Sequence, residues 1–306
     1  MVHTMSNTIY KTFGYSIQSD IQLPELQQID SSQINIDIFI RYANLTERWL
    51  ELSDSPKKFV VTENLIMFWI PDLAIFAIED GTNITISPEK DADEDKIRLY
   101  ILGSCMGAIL QQRRILPLHG SAVVIDHKAY AFIGDSGHGK STLASSFIQR
   151  GFQLLTDDVI AVTLGPDNIP YVTPAYPQQK LWQESLDTFG MNSDEFRPLF
   201  DRETKYAIPV ASHFSTDPVP LAGIFELIKM DCNHAGIRPI EKLERLPLLY
   251  RHTYRNFFLP NRGLTQWHFD MTARLSGSVD IYQIQRPLNE STVHQLTDMV
   301  LSTIRN

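Results

Sequence analysis

Cysteine is scarce in this chain: its 306 residues include only Cys105 and Cys232. Two cysteines outside any CxxC pair are too few for a disulfide framework. We therefore interpret both as free thiols of a protein that works in a reducing compartment. Internal repeats and low-complexity tracts are missing too, which argues against a repeat architecture.

Long apolar runs and an excess of positive charge are also missing. No apolar run approaches the roughly 18 residues needed to span a bilayer, and the N-terminal residues lack the apolar core of a signal peptide. Lys and Arg number 27 against 36 Asp and Glu, for a net charge of −9. This acidic balance argues against non-specific nucleic-acid binding, which depends on basic surface. We expect a soluble, cytoplasmic protein with neither a membrane nor a nucleic-acid partner.

Short apolar segments dominate the first 90 residues. The hydrophobic content of 43% is sufficient for a sizeable core. Alternating apolar and polar residues at 34–41 are typical of a half-buried strand. Further short segments, separated by turn residues, lie at 59–62, 65–70, 73–79 and 83–87. Together they predict an antiparallel meander, and the acidic start and basic end of 91–114 predict a buried helix.

One short motif carries most of the functional information. The sequence GDSGHGKS, from Gly134 to Ser141, lies between a predicted strand at 129–134 and a predicted helix at 141–150. Glycines let the backbone turn tightly, so that successive N–H groups and the helix N-terminus surround an anion. Lys140 is expected to reach the β- and γ-phosphates of ATP, and the Ser141 hydroxyl to hold Mg²⁺. The residues predicted to bind the nucleotide are Gly134, Asp135, Ser136, Gly137, His138, Gly139, Lys140, Ser141 and Thr142.

Two adjacent carboxylates, Asp157 and Asp158, follow a predicted buried strand at 153–156. In P-loop proteins, a carboxylate at a neighbouring strand end completes the Mg²⁺ shell or orients the nucleophile. Adjacent residues of a strand point to opposite sides, so one carboxylate can face the metal and the other the acceptor. The alternative is a solvated pair in a loop. His119, which opens the first strand of this region, is either a structural residue or a contact to aspartate or phosphate.

The rest of the chain alternates strands with helices, including a predicted helix at 243–255. The interval 175–216 is rich in Pro, Gln, Ser and Asp, and we interpret it as short helices and mobile loop. The predicted fold class is an α/β P-loop domain at 114–306, preceded by a smaller β-rich N-terminal domain at 1–113 that includes the linking helix. The N-terminal domain either covers the P-loop domain or binds a peptide along an open strand edge.

Three blocks together resemble the catalytic domain of the HPr serine kinase/phosphorylase family. The blocks are His119-Gly-Ser-Ala, Gly134-x-Ser-Gly-x-Gly-Lys-Ser141 and Arg150-Gly-Phe-x-Leu-Leu-x-Asp157-Asp158. The chain is similar above all to the HPr-kinase-like proteins of bacterial biosynthetic clusters, including kinases that modify lasso-peptide precursors. That second similarity lies in Lys180-Leu-Trp182, Tyr250-Arg251-His252-x-Tyr254-Arg255, Ala273-Arg274-Leu, Ile281-Tyr282 and Arg286-Pro287.

The resemblance implies a role for each matched residue. Asp157 would be the general base on the acceptor hydroxyl, Asp158 would assist with the metal or with orientation, and His119 would lie beside the acceptor. It does not decide between the two aspartates. Two features depart from the family: Thr142 replaces a glutamate, and a Glu-Val-Arg-Gly segment is missing. These departures put the reverse, phosphorylase reaction and the recognition of HPr in doubt.

Phosphoryl transfer also needs cations near the γ-phosphate. Candidates are Lys205, Arg251, His252, Arg255, Arg262 and Arg274. Within the helix predicted at 243–255, Arg251 and Arg255 would share one face, either as a catalytic patch or as a solvated face paired with Glu241 or Glu244. We favour Arg251 as the catalytic cation.

The sequence thus predicts an ATP-dependent kinase that phosphorylates a serine hydroxyl of a peptide or small protein, with a lasso-type precursor as the first candidate. An HPr-type protein and a small metabolite are alternative acceptors. A motor ATPase and a nucleotide-binding regulator without transfer are alternative functions. Members of the HPr kinase family assemble into hexamers, so the resemblance also implies self-association.

Overall fold

A computed structural model describes residues 8–30, 34–53, 58–199, 204–288 and 292–305. The chain divides into two compact units. Unit 1 comprises Met1–Ile115 and Phe257–Trp267, and unit 2 comprises Leu116–Asn256 and His268–Asn306. No helix among the described residues is long and apolar enough to cross a membrane.

Unit 1 contains an eight-stranded sheet in the order β3-β1-β2-β4-β8-β7-β6-β5. The strands are β1 (Thr8–Thr12), β2 (Tyr15–Ser19), β3 (Gln27–Ile29), β4 (Ile38–Tyr42), β5 (Phe59–Val61), β6 (Leu65–Ile70), β7 (Ala74–Glu79) and β8 (Asn83–Pro88). Strands β5 to β8 form the predicted antiparallel meander, which is confirmed. The predicted strand at 34–41 begins only at Ile38, and β4 pairs in parallel with β2 and β8. Alternation predicts a strand but not the direction of its partners.

The helices of unit 1 pack apolar faces on this sheet. Helix α1 (Thr46–Leu52) buries Trp49 against Met67 and Ile75. Helices α2 (Glu94–Tyr100) and α3 (Met106–Gln112) are joined by a π-helical turn at Ile101–Cys105. The predicted buried helix at 91–114 is therefore confirmed, with a π-helical turn that its composition did not indicate.

The described residues of unit 2 form ten strands in two sheets. They are β9 (Leu116–Ile125), β10 (Lys128–Ile133), β11 (Gln153–Leu164), β12 (Pro170–Thr173), β13 (Gln178–Trp182), β14 (Arg197–Pro198), β15 (Lys205–Pro209), β16 (Val219–Met230), β17 (Gly236–Pro239) and β18 (Asp280–Pro287). The larger sheet has the order β10-β9-β11-β12-β16-β18-β17, and β10 also pairs in parallel with β16. Strand β16 pairs in parallel with β18 as well, so the carboxyl ends of β10, β16 and β18 lie at one edge.

The second sheet of unit 2 corrects in part the interpretation of 175–216 as short helices and mobile loop. Among the residues that the structure describes there, β13, β15 and β14 form an antiparallel sheet. The short helices are confirmed: α5 (Gln183–Thr188) is α-helical, and Ser193–Glu195 and Ala211–His213 form 3₁₀ turns. Strand β13 pairs with β15 across more than 20 intervening residues, so that Lys180 lies opposite Ala207. A pairing at this separation leaves no local pattern, which is why the polar composition was misleading.

The remaining helices of unit 2 are α4 (Lys140–Gln149), α6 (Lys242–Arg251), α7 (Thr265–Ser278, whose first residues belong to unit 1) and α8 (Val293–Arg305). Helix α4 packs Phe147 on Phe132 of β10, with ring centroids 5.3 Å apart. Helix α8 packs beside α4, where the Thr297 hydroxyl donates to the Ser146 hydroxyl at 2.9 Å. Burial of these apolar faces fixes the start of α4 relative to the sheet.

Helix α6 is shorter than predicted. It ends at Arg251, and Arg255 has a positive φ of 54°. The chain leaves the helix because Tyr254 N–H donates to the Pro117 carbonyl, which ties this segment to β9. Arg251 and Arg255 therefore do not share a helical face, and that expectation was wrong.

A buried histidine in α7 makes unit 2 sensitive to acid. His268 is 4% exposed, and burial lowers the pKa of its imidazole to about 4. Its Nε2 contacts the Thr253 hydroxyl at 2.8 Å. The unfolded chain takes up a proton near pH 6.5 while the folded ring stays neutral until about pH 4. Acid therefore drives unfolding between those two values.

We expect His268 alone to lower the free energy of unfolding by roughly 3 kcal/mol between about pH 6.5 and pH 4. Urea unfolding at a series of pH values measures this loss. In His268→Gln the side chain does not titrate, so the fall over the same window should be clearly smaller than in wild type. An identical pH dependence in the two proteins would show that the pKa of the His268 ring is the same in the folded and the unfolded protein.

Candidate functional site

The glycine-rich turn lies between β10 and α4, as its strand–loop–helix context predicted. Gly134 has a φ of 147°, and a Cβ at this position would lie 2.6 Å from the Leu227 carbonyl oxygen of β16. The His138 ring donates from Nδ1 to the same carbonyl at 2.8 Å. Strand β16 thus holds both ends of the turn, and only glycine can begin it.

Lys140 is the first residue of α4 and is only 7% exposed. Its Nζ donates to the Asp135 carbonyl within the turn at 3.0 Å. Burial lowers the pKa of this ammonium, while the charges of Asp157 and Asp158 act in the opposite direction. The unpaired N–H groups of a helix N-terminus and a buried ammonium together favour a multiply charged anion such as a phosphate chain.

Asp157 is 4% exposed and accepts three hydrogen bonds. Its Oδ1 accepts from the hydroxyls of Ser121 at 2.5 Å and Ser141 at 2.8 Å. Its Oδ2 accepts from the Lys180 backbone N–H at 2.8 Å. The antiparallel register of β9 and β11 places Ser121 directly opposite Asp157. This carboxylate therefore joins the glycine-rich turn to both sheets of unit 2.

Asp158 lies within β11 rather than after a strand, and its φ of 84° is unusual for a residue that is not glycine. Its Oδ2 accepts from Lys180 Nζ at 2.7 Å, and its side chain is 25% exposed. Burial opposes the ionisation of Asp158, but the charge of Lys180 outweighs it and holds the pKa of the carboxyl below its usual range. Asp158 is the more accessible of the two carboxylates.

His119 lies beside Asp158. Its Nδ1 donates to the Asp158 backbone carbonyl at 3.1 Å and lies 3.5 Å from Oδ1 of the same residue. Because a carbonyl oxygen only accepts, Nδ1 carries the proton and Nε2 is the acceptor nitrogen of the neutral ring. Burial lowers the pKa of His119, against the opposing charge of Asp158, so the neutral ring is favoured.

Lys180 and Ser121 are site residues to which the sequence had assigned no role. Lys180 is 5% exposed and contacts both aspartates, one through its backbone and one through its side chain. A signal existed in the Lys180-Leu-Trp182 segment that carries part of the family resemblance. Its function could not be derived from that segment, because Lys180 reaches Asp158 only through the pairing of β13 with a distant strand.

Arg251 approaches the turn from α6. Its Nη2 donates to Asp135 Oδ2 at 2.5 Å, so this cation pairs with the glycine-rich turn rather than with Glu241 or Glu244. Its neighbour His252 is 4% exposed, and Nε2 of that ring lies 2.9 Å from Glu226 Oε1 on β16. The predicted cation Arg251 therefore lies at the turn, and His252 fills a buried structural position behind it.

The other predicted cations are spread through the molecule. Lys205 Nζ lies 5.4 Å from the centre of the Trp182 ring, and its charge contributes to the lowered pKa values of Lys140 and Asp158. Arg274 is exposed on α7. Arg262 belongs to unit 1, where its Nε donates to the Glu63 carbonyl at 3.2 Å. Of the predicted cations, Arg251 contacts the turn, Lys205 acts on Lys140 and Asp158, and Arg255 lies over the ring of Tyr254, which packs near His119.

Two further predicted nucleotide-binding residues differ in their surroundings. Thr142, where the resembling family has glutamate, shares a hydrogen bond of 2.8 Å between its hydroxyl and that of Ser185 in α5. Ser136 is exposed at the tip of the turn. Of the two residues after Lys140, Ser141 thus contacts Asp157 and Thr142 contacts α5.

The oxygen atoms around Ser141 have the chemistry of a magnesium site. No group of three or more His, Cys, Asp or Glu side chains that could hold a metal occurs among the residues that the structure describes. Magnesium at phosphate sites needs no such cage, because one or two carboxylates, water and the substrate phosphates complete its shell. The Ser141 hydroxyl and the adjacent Asp157 carboxylate, with Asp158 next to it in the chain, fit that requirement.

Comparison with known proteins gives one recurring name. The curated relatives are HPr kinase/phosphorylases. The protein from Ralstonia pickettii strain 12J is 28% identical over 210 residues, which cover 63% of this chain and 60% of that protein. The one from Nitrosomonas europaea is 25% identical over 186 residues, which cover 55% of this chain and 53% of that protein. The chain thus spans about 60% of the length of the first of these relatives.

Among solved structures, the Hpr(Ser) kinase/phosphatase from Coxiella burnetii aligns with a TM-score of 0.32 and 16% identity. The alignment covers 62% of this chain and 94% of that one. No family model matches the chain.

Proposed function

We propose that this protein is an ATP-dependent kinase that transfers the γ-phosphoryl group to a serine hydroxyl of a peptide or small protein. One observation carries the proposal: a single hydrogen-bonded network joins the glycine-rich turn to two carboxylates. In this network, Ser141 Oγ lies 2.8 Å from Asp157 Oδ1, and Asp158 lies between Lys180 and His119. Phosphate-binding and acceptor-orienting groups are thereby adjacent, as in-line transfer requires.

In the proposed reaction, the serine oxygen forms a bond to the γ-phosphorus of ATP. The bond from that phosphorus to the β,γ-bridging oxygen breaks, and ADP leaves with the electron pair. The hydroxyl proton passes to a carboxylate of the site. Lys140 neutralises charge on the phosphates, and Arg251 holds Asp135 of the turn in place. A serine hydroxyl is a weak nucleophile at neutral pH, so alignment by a carboxylate contributes directly to the rate.

The surroundings of the aspartates favour different roles for them. Asp158 is the more exposed carboxylate and lies beside His119, which favours a position facing the acceptor. Asp157 is buried and hydrogen-bonded to Ser141, which favours the metal side. This assignment reverses the one that the family resemblance implies, in which Asp157 is the general base. The low pKa of Asp158 suits a carboxylate that orients the hydroxyl and accepts its proton late in the transfer.

Ser141 and Asp157 would hold Mg²⁺, with Asp158 as a further ligand in the assignment that the resemblance implies. When bound, the ion neutralises phosphate charge and fixes the orientation of the transferring group. The protein supplies the hard oxygen donors for it and keeps them in place through Ser121 and the Lys180 backbone N–H.

The relatives named HPr kinase/phosphorylase support a protein serine as the acceptor. The resemblance to kinases of lasso-peptide clusters makes a lasso-type precursor peptide the first acceptor to test, and HPr the second. The missing Glu-Val-Arg-Gly segment, which in the resembling family contributes to metal binding and to the reverse reaction, favours forward transfer over the phosphorylase reaction. Thr142, in place of a glutamate, shares a hydrogen bond with Ser185 instead. A nucleotide-binding regulator is the second candidate function, in which the same turn binds ATP without transfer.

The proposal is tested by incubating the purified protein with ATP, Mg²⁺ and either a lasso-type precursor peptide or HPr. Intact-mass spectrometry then detects a gain of one phosphate per acceptor, and fragment spectra locate it on a serine. Asp157→Asn should lose this transfer. Asp126→Asn, in an exposed turn, is its matched control, because asparagine tolerates the left-handed backbone at that position.

Phosphate on the peptide alone would support a peptide kinase, and phosphate on HPr would move the proposed function to protein regulation. ATP binding without transfer to either, and without ATP hydrolysis that responds to them, would support the regulator. A protein that binds no ATP at all would contradict both functions.

A further inference from the structure

A cation not considered among the transfer candidates lies against the glycine-rich turn. Arg286 is near the end of β18, and a Cβ at Gly139 would lie 2.7 Å from its Nη1. Its guanidinium therefore occupies the space beside Gly139, whose φ is 96°. A side chain at position 139 would strain the backbone and would require the Arg286 guanidinium to move.

The topology of unit 2 explains this placement. Strand β10 ends where the turn begins, and β16 lies between β10 and β18 with all three strands parallel. Ile133 is opposite Glu226, Glu226 is opposite Gln283, and Arg286 follows three residues later. Its long side chain therefore extends from the same sheet edge that carries the turn.

The helix end beside Arg286 favours an anion. Gly139 is the N-cap of α4, and a helix N-terminus carries partial positive charge that attracts anions. Lys140 adds a full positive charge at the same place. Burial lowers the pKa of Arg286, and Glu184 of α5 is the charge that acts against this effect. An anion bound at this helix end would be stabilised by the helix N-terminus, by Lys140 and by Arg286 together.

The neighbours of Arg286 distinguish it from the acceptor side of the site. Arg286 lies on the side of α5, which supplies Glu184 and the Ser185 hydroxyl that contacts Thr142. Lys180, by contrast, contacts the two aspartates of β11. In a phosphate-binding loop, the backbone N–H groups surround the α- and β-phosphates and the lysine reaches toward the γ-phosphate. Arg286 lies beside Gly139, and therefore next to these backbone N–H groups.

We propose that Arg286 is a nucleotide-binding residue that contacts the α- and β-phosphates, the part of the ligand that ATP and ADP share. The proposal rests on the proposed function, because it requires that the turn bind a nucleotide. Arg286 then contributes to nucleotide affinity, while Asp157, Asp158 and Lys180 contribute to transfer. It also stays engaged with ADP after the phosphoryl group has left.

Calorimetric titration with ATP and with ADP tests this role without any turnover. Arg286→Met is expected to raise both dissociation constants by the same factor, roughly 10- to 100-fold, the effect of losing one hydrogen bond to a charged group. Arg286→Lys keeps the charge but cannot form bidentate hydrogen bonds, so its dissociation constants for ATP and ADP should lie between those of wild type and Arg286→Met. Arg305→Met, an exposed position at the end of α8, is the control and should bind as wild type does. Circular dichroism shows whether each variant is folded.

The outcomes separate the two proposals. If wild type binds both nucleotides and folded Arg286→Met binds them equally well, the role of Arg286 is refuted and the proposed kinase function is untouched. A loss confined to ATP would place Arg286 at the γ-phosphate and contradict the assignment to the shared phosphates. Wild type that binds neither nucleotide would overturn the proposed function and this inference with it.

Discussion

Asp157→Asn is expected to lower the rate of phosphoryl transfer roughly 10²- to 10³-fold, the usual effect of removing one preorganised electrostatic group from a site. Ser121, Ser141 and the Lys180 backbone N–H all donate hydrogen bonds to this carboxylate. The asparagine amide of the variant would direct its own N–H donors toward one of these donors. Single-turnover transfer, followed by mass spectrometry of the acceptor, measures the loss. On the proposed metal side, the variant should also need more Mg²⁺ for half-maximal rate. Asp126→Asn is the control and should match wild type.

Asp158→Asn distinguishes the two assignments of the aspartates. If Asp158 faces the acceptor, its loss lowers the transfer rate roughly 10²- to 10⁴-fold, as expected for a general base, without changing the Mg²⁺ requirement. The opposite pattern, in which the Mg²⁺ requirement changes only in Asp158→Asn, would restore Asp157 as the base. Full activity in both variants would remove the aspartates from the mechanism.

Lys180→Met is expected to destabilise unit 2 by about 3 kcal/mol, because removal of one member of a buried ion pair leaves its partner charged and without compensation. Lys180 Nζ lies 2.7 Å from Asp158 Oδ2, with only 6% of the lysine side chain exposed. Urea unfolding measures the change. The double variant Lys180→Met/Asp158→Asn should lose clearly less stability than the sum of the two single variants.

The exposed pair of Arg150 and Asp298 is the matched control for this cycle. Its atoms lie 2.5 Å apart, compared with 2.7 Å in the Lys180–Asp158 pair, but 31% of the Arg150 side chain and 68% of the Asp298 side chain are exposed. Arg150→Met should therefore cost much less stability than Lys180→Met. Additive losses in the Lys180 cycle would mean that the buried pair is not coupled in solution.

The parts of the fold that could be predicted are those that local sequence determines. The glycine-rich turn was predictable because its glycines, Lys140 and Ser141 are adjacent in the chain and their function depends on that adjacency. The meander of β5 to β8 was predictable because neighbouring strands pair through short turns. Both depend on contacts between residues close in sequence.

The features that could not be predicted depend on distant contacts. Helix α6 ends early because Tyr254 bonds to Pro117, more than 130 residues away. The small sheet of β13 to β15 could not be predicted either, because β13 pairs with a strand more than 20 residues away. Lys180 and Arg286 each reach the site from a strand whose neighbours are remote in sequence, so neither role could be derived from spacing. Asp157 and Asp158 were predictable as a pair, but their different surroundings were not.

The hydrogen bond from Lys180 to Asp157 is made by the backbone, whereas the contact to Asp158 is made by the side chain. A mutation at position 180 therefore leaves the backbone donor to Asp157 in place, whereas it removes the ion pair with Asp158 and the stability that depends on that pair. Over evolutionary time, this position can change the properties of one carboxylate while the framework around the other persists.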